Sequence, residues 1–261
     1  MTRSNADRRP IPLRALAAVA LLAVAAGCNR FDLRAFPTPE GLFQASMRQF
    51  RAGHFDKSLS GFQKLTFDLG TNDSLYPLAR FYLAESYFGQ GDFVTAAREF
   101  RRVADESPSF RLAPTALLRA ADAYAAQWTE PELDPTQGQT ALATYQELQG
   151  RFPGSAAAQI AAARVRALNE EFASKELANA LFYYRRGAYD SAILYFKDLI
   201  ASYPSSVLVP DAYTYLVRSY RTIGWRDERE AFCLQLRSYY AQYYAHHPEV
   251  KALCDDRTSG R

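Results

Sequence analysis

The sequence predicts an all-α chain, a solenoid of about five helix pairs behind an export leader. Three observations predict it. Apolar residues return at helical spacing through most of residues 38–247. No stretch of that region alternates apolar and polar like a half-buried strand. The same order of large, small, aromatic and glycine positions comes back several times. Ala, Leu and Arg, all good helix formers, dominate the chain, and β-branched residues are sparse.

The leader comes first. Residues 1–14 are polar and basic, and Ala15 to Ala26 form an unbroken run of small and apolar residues. A basic region, an apolar core and small residues ahead of a cut make a secretory signal over residues 1–27. The apolar run is short for a spanning helix. Val24-Ala25-Ala26-Gly27-Cys28 resembles the bacterial lipobox, which implies cleavage before Cys28 and acylation of its thiol. The other reading is an ordinary signal peptide with an incidental cysteine. Several acyl chains, at about 0.8 kcal/mol per buried CH₂, would hold the chain on a membrane. Asn29 rather than aspartate follows Cys28, which by the same resemblance favours the outer membrane, facing the periplasm.

Residues 28–37 read as a tether. Thr38-Pro39-Glu40 then opens the first helix with a capping hydroxyl, a first-turn proline and an acid near the positive end. The clearest repeat runs from Arg80 to Pro108: Leu83-Ala84, Tyr87, Gly91-Asp92-Phe93, Ala96, Phe100, Val103 and Pro108 match the tetratricopeptide pattern. Ala84 and Ala96 let two antiparallel helices approach closely. Phe100 and Val103 fill the seam, and Pro108 stops the second helix. A first copy has Leu42, Ala45-Ser46, Gly53, Ser58, Phe62 and Leu65. A third has Leu117, Ala120-Ala121, Tyr124, Ala141, Tyr145, Leu148 and Pro153. A fourth has Ala180, Tyr183, Gly187, Ala192, Phe196, Leu199 and Pro204. A fifth has Tyr213, Leu216, Tyr220 and Gly224 before a less regular helix.

Between these copies lie two special segments. Trp128 to Gln139, with Pro131 and Pro135, reads as a loop inserted between the third pair's helices. Residues 155–186 hold no proline or glycine and read as one long helix. Residues 38–247 therefore form the repeat domain and 248–261 a tail. Cys233 and Cys254 can pair in an oxidising compartment. A helix from Cys233 to His246, followed by an extended return, would bring them together, and two unpaired thiols are the alternative. The tail after Pro248 is expected to lack order unless they pair.

A lipobox, a tether and five repeats together resemble the BamD family (also ComL or YfiO) of outer membrane assembly lipoproteins. Leu133-Asp134-Pro135-Thr136-Gln137 resembles the family's acidic loop ahead of the third repeat's second helix. Arg151-Phe152-Pro153-Gly154-Ser155 resembles its Tyr-Pro-x-Ser turn, and Ala180 to Tyr189 resembles its Ala-x-Tyr-Tyr-x-x-Arg-Gly-x-Tyr signature. The resemblance runs from about Cys28 to Tyr244. It implies a non-catalytic scaffold of the β-barrel assembly complex that engages the barrel protein BamA and unfolded outer membrane proteins. Two departures stand out. Ser107-Pro108 replaces a frequent His-Pro, and Tyr195 stands where well-studied members carry a BamA-contacting arginine.

In such repeats the first helices line the concave face. Repeat position predicts a groove of Phe43, Met47, Phe50, Phe81, Glu85, Phe88, Leu118 and Asp122. It would suit an extended peptide with aromatic anchors, and the resemblance implies the C-terminal β-signal of unfolded barrels as that peptide. The alternative is that these aromatics only pack the superhelix. Arg185, Arg186, Arg218, Arg221, Arg226 and Arg229 make the far end cationic, a face for an acidic periplasmic domain of BamA unless they are ordinary solvated arginines.

Other classes fit poorly. The leader holds the whole formal charge of +3, so residues 28–261 sum to zero, without the basic excess of a nucleic-acid binder. After Cys28 the three histidines, His54, His246 and His247, sit without zinc spacing or a paired nucleophile, and no phosphate loop or other cofactor motif appears. The expectation is a binding protein, not an enzyme. Another periplasmic repeat lipoprotein, serving division or cell-wall complexes, is the rival.

Overall fold

The computed structural model describes residues 31–128 and 134–255, and every regular element among them is helical. Cys28, the leader, the start of the tether, residues 129–133 of the inserted loop and the last six residues lie outside the described residues.

Five antiparallel pairs follow one another. α1 (Pro39–Arg51) pairs with α2 (Phe55–Asp68), α3 (Tyr76–Gly89) with α4 (Phe93–Glu106), and α5 (Ala113–Ala126) with α6 (Thr136–Arg151). The long α7 (Ala156–Arg185) pairs with α8 (Tyr189–Ser202), and α9 (Val209–Ile223) with α10 (Arg226–Tyr239). Two short helices, α11 (Ala241–His246) and α12 (Pro248–Asp255), close the chain. Each helix packs on the next, so the array is a tetratricopeptide-type solenoid. First helices of neighbouring pairs also touch, α1 on α3 and α5 on α7, which sets them on the tighter, inner side.

The repeat positions explain the packing. Ala84, Ala96, Ala120, Ala121, Ala141, Ala180 and Ala192 are all fully buried, so their helices approach closely. Phe62, Phe100, Tyr145 and Phe196, one from each of the first four pairs, fill the seams. The turn inside a pair needs a left-handed residue: Gly91 sits at φ 82° and Gly187 at φ 74°, where a Cβ is strained. Thr38 accepts the Gly41 N–H at 3.2 Å and Ser155 the Ala158 N–H at 3.1 Å, fixing the starts of α1 and α7.

Two expectations need correction. The inserted loop is shorter than Trp128 to Gln139, because the Gln139 N–H already bonds the Pro135 carbonyl at 2.8 Å and α6 is under way at Thr136. Trp128 itself is buried, its ring tilted against Phe172 at 4.7 Å and packed against Gly138, where a Cβ would lie 2.6 Å from its ring. The helix from Cys233 does not run to His246. It breaks at Tyr240 (φ −128°, ψ 46°), whose ring lies 5.7 Å from that of Tyr213. α11 and α12 then fold back, and a disulfide joins Cys233 to Cys254 with Cα atoms 5.7 Å apart, reached by a helix rather than an extended return.

Candidate functional site

The inner face does not present the whole predicted groove. Phe43 turns edge-on to Phe62 at 5.6 Å and, with Met47, sits in the first pair's core. Phe81 meets Phe100 at 5.6 Å, and Leu118 joins the core under the third pair. These four are each less than one-tenth exposed, so they cannot meet a peptide without repacking, and they leave the predicted lining. The physical reason is the pairing itself: Phe43 and Phe81 turn onto the seam rings Phe62 and Phe100 of their own second helices rather than into the inner face. Phe50 is half-buried between Phe55 and Tyr82.

The other three, Glu85, Phe88 and Asp122, do come together. They stand at or beside a cleft of about 320 Å³ lined by Phe88, Arg119, Asp122, Ala125, Tyr145, Arg164, Ala167, Leu168 and Glu171. Arg119 on α5 organises it. Its Nε and Nη2 donate to the two oxygens of Glu85 on α3 at 2.8 and 2.9 Å, and its guanidinium lies 3.9 Å over the Phe88 ring. Such a two-pronged, stacked pair fixes α3 against α5 in one register. Burial alone would pull the Arg119 guanidinium down, but the bonds to Glu85 outweigh it and hold it above its ordinary value. Tyr145 on α6 donates to Asp122 at 2.6 Å, and Arg164 on α7 approaches the same carboxylate at 3.8 Å. Burial, and then the bond to Asp122, push the Tyr145 phenol well up. Four helices thus supply an aromatic face, a held guanidinium and carboxylates to one open recess.

Repeat position missed Arg119, Tyr145, Arg164 and Glu171. One signal was present: Glu85 and Arg119 carry opposite charges on the first helices of consecutive repeats, 34 residues apart.

The basic residues gather at the edge where α7 and α9 end and α10 begins. Arg185, Arg186, Arg221 and Arg226 are exposed, while Arg218 and Arg229 are partly buried. Arg186 lies 4.0 Å over Phe182 and Arg218 5.4 Å from the Tyr215 ring centre, and Tyr184 meets Tyr215 at 5.2 Å, so these arginines share one rim. Arg221, Arg226 and Arg229 have interactions of their own. Tyr195 stacks on Tyr183 at 5.2 Å and presents no cation there. His54 bonds Gln49 at 3.0 Å, while His246 and His247 each bond a backbone carbonyl at 2.7 Å. Among the described residues no group of three His, Cys, Asp or Glu is placed to hold a metal, and no helix is long and apolar enough to cross a membrane.

An all-helical tetratricopeptide-type solenoid with a polar-rimmed inner cleft defines the class. Residues 37–233 match the YfiO family of outer membrane lipoproteins, and the chain belongs to that family. It is 30% identical over 105 residues to the outer membrane protein assembly factor BamD of Caulobacter vibrioides, a match covering 40% of this chain and 34% of that one. The Vibrio cholerae BamD is 32% identical over 105 residues, 40% of this chain and 44% of its own. The Neisseria meningitidis BamD is 32% identical over 91 residues, 35% and 34% respectively. The matches thus span less than half the length of each relative.

Proposed function

We propose that this chain is a lipid-anchored, non-catalytic scaffold of β-barrel assembly at the outer membrane, facing the periplasm. The observation that carries the reading is the family match over residues 37–233, and the relatives' names supply the process, outer membrane protein assembly. Cys28 carries the anchor. The cleft around Phe88 and Arg119 takes an extended C-terminal segment of an unfolded barrel, its aromatic residue on Phe88 and its backbone against the polar rim. The edge with Arg185, Arg186, Arg218, Arg221, Arg226 and Arg229 meets a periplasmic domain of a BamA-like barrel protein.

The cleft supports the reading because its central charges, Arg119 with Glu85 and Asp122 with Arg119 and Arg164, are already paired. A peptide that displaces water there does not strand a carboxylate or a guanidinium. Ala167 lines the recess and is exposed, so Ala167→Trp should fill it without touching the core. Binding of a labelled peptide ending in phenylalanine should weaken about tenfold or more, with the melting temperature unchanged. Unchanged affinity would remove the cleft from the proposal. Affinity capture from solubilised membranes tests the wider reading: recovery of a BamA-like protein supports it. Recovery of cell-wall synthases or division proteins alone would transfer the chain to the rival class.

A further inference from the structure

The segment after Tyr239 closes the C-terminal end of the array. Val250 of α12 is fully buried in one core with Tyr213, Leu216 and Leu236. Tyr243 of α11 donates to Asp211 on α9 at 2.7 Å. Solenoids need such an end cap, because the last repeat otherwise leaves its apolar side to water. This cap is thin. α12 has eight residues, too few to hold a helix alone, and Val250 is its one buried side chain. What fastens it is the bridge from Cys254 to Cys233 on α10, closing a separation of 21 residues. The family match ends at Cys233, so the cap and Cys254 lie beyond it.

The bridge is not sealed. A surface cavity of about 390 Å³ opens on it, lined by Arg229, Glu230, Leu234, Arg237 and Asp255 with both cysteines. Cys233 is buried at 4% exposure, while Cys254 is only partly buried. The two arginines and two carboxylates balance in charge, so access decides which sulfur reacts. We infer that Cys233–Cys254 is a thiol-exchange clasp, opened by a dithiol reductant through this cavity, and that opening it releases α12 from the end of the array.

The step is an ordinary exchange. The reductant's thiolate attacks the Cys254 Sγ in line with the S–S bond. That bond breaks, and the Cys233 sulfur leaves as thiolate and takes up a proton. The reductant's second thiol then attacks the mixed disulfide, freeing Cys254 as a thiol and leaving the reductant as its own disulfide. Two electrons and two protons pass from dithiol to bridge. The freed helix then keeps Val250 against the core and the exposed Asp255 pair with Arg237, and loop-closure entropy no longer favours its docked state.

The test uses the full-length mature protein in detergent, oxidised and then treated with dithiothreitol without denaturant. Both thiols should become alkylatable under native conditions. Amide protection at residues 248–255 should then fall on the order of 100-fold, the scale of a closed loop of this length, with α3–α6 unchanged. C254S should show the same loss with no reductant. Three results would overturn the inference: free thiols in the protein as isolated from the periplasmic side, reduction only after unfolding in urea, or α12 protection that persists in the reduced protein or in C254S.

Discussion

The middle of the array and its C-terminal end are held by different chemistry. Between the second and third pairs the ties are ionic. Arg119 grips Glu85, Arg101 meets Glu147 at 2.9 Å, and Arg151 bridges Asp105 and Glu147 at 2.7 Å each. Arg80, one-tenth exposed, pairs with Glu99 at 3.3 Å within the second pair. Between the fourth and fifth pairs the ties are aromatic. Tyr215 stacks on Phe196 at 5.7 Å and meets Tyr184 at 5.2 Å; within the fifth pair Tyr220 stacks on Phe232 at 5.6 Å, and a disulfide fastens the last helix. A forked guanidinium accepts one geometry only, so it sets how neighbouring repeats lie. Ring contacts tolerate small slips. The middle is therefore the part built to keep a shaped recess, and the end is the part that can change its closure.

The largest effects come from the shared element, the seam phenylalanine. Phe100 and Phe196 are both fully buried, and replacing either with alanine should cost about 3–5 kcal/mol. Residue-resolved hydrogen exchange should show the loss around α3–α6 for Phe100→Ala and around α7–α9 for Phe196→Ala. Equal loss along the whole chain would mean that the two regions unfold as one unit, and the contrast drawn above would fail. A smaller effect separates them. Arg119→Ala leaves Glu85 partly buried without its partner and should cost about 2 kcal/mol. Adding Glu85→Ala should cost less than the two single losses together, read by denaturant titration. Strict additivity would reduce the pair to a surface decoration.

How much of this was legible beforehand follows the same division. The seams were legible, because Ala84, Ala96, Phe100 and Val103 recur at helical spacing and burial follows the period. α7 was legible because nothing between Pro153 and Gly187 can break a helix except Gly154, which precedes its Ser155 cap. The inner lining was not. Period alone says that Phe43, Phe81 and Phe88 face inward, but not that the first two turn onto Phe62 and Phe100 of their second helices and are buried, while the third stays at the cleft. Arg119 was hidden for a related reason, since its role lies in a pairing one repeat away rather than in its own helix. The C-terminal fold-back was also hidden. Tyr240 looks like a helix residue, and only its contact with Tyr213 and the Pro204 carbonyl, 3.4 Å from its hydroxyl, shows why the chain turns there.

The smallest expected effect probes the end cap through pH. Burial first, and then the bond to Asp211, push the Tyr243 phenol from 10.0 up to about 12. The folded state thus keeps a proton that the unfolded chain loses near 10. That contribution is complete below pH 10 and is lost as pH rises from about 10 to about 12. At neutral pH Tyr243→Phe should cost about 1 kcal/mol, one hydrogen bond. Between pH 10 and 12 the variant should lose protection in α11 less steeply than the parent, because it has no phenol to titrate. Tyr145, raised by burial and by Asp122, should give the middle repeats a similar alkaline sensitivity that Tyr243→Phe leaves untouched. If the parent and Tyr243→Phe fall in parallel across that range, the cap is not held by this hydroxyl, and its closure rests on Val250, the Arg237–Asp255 pair and the disulfide.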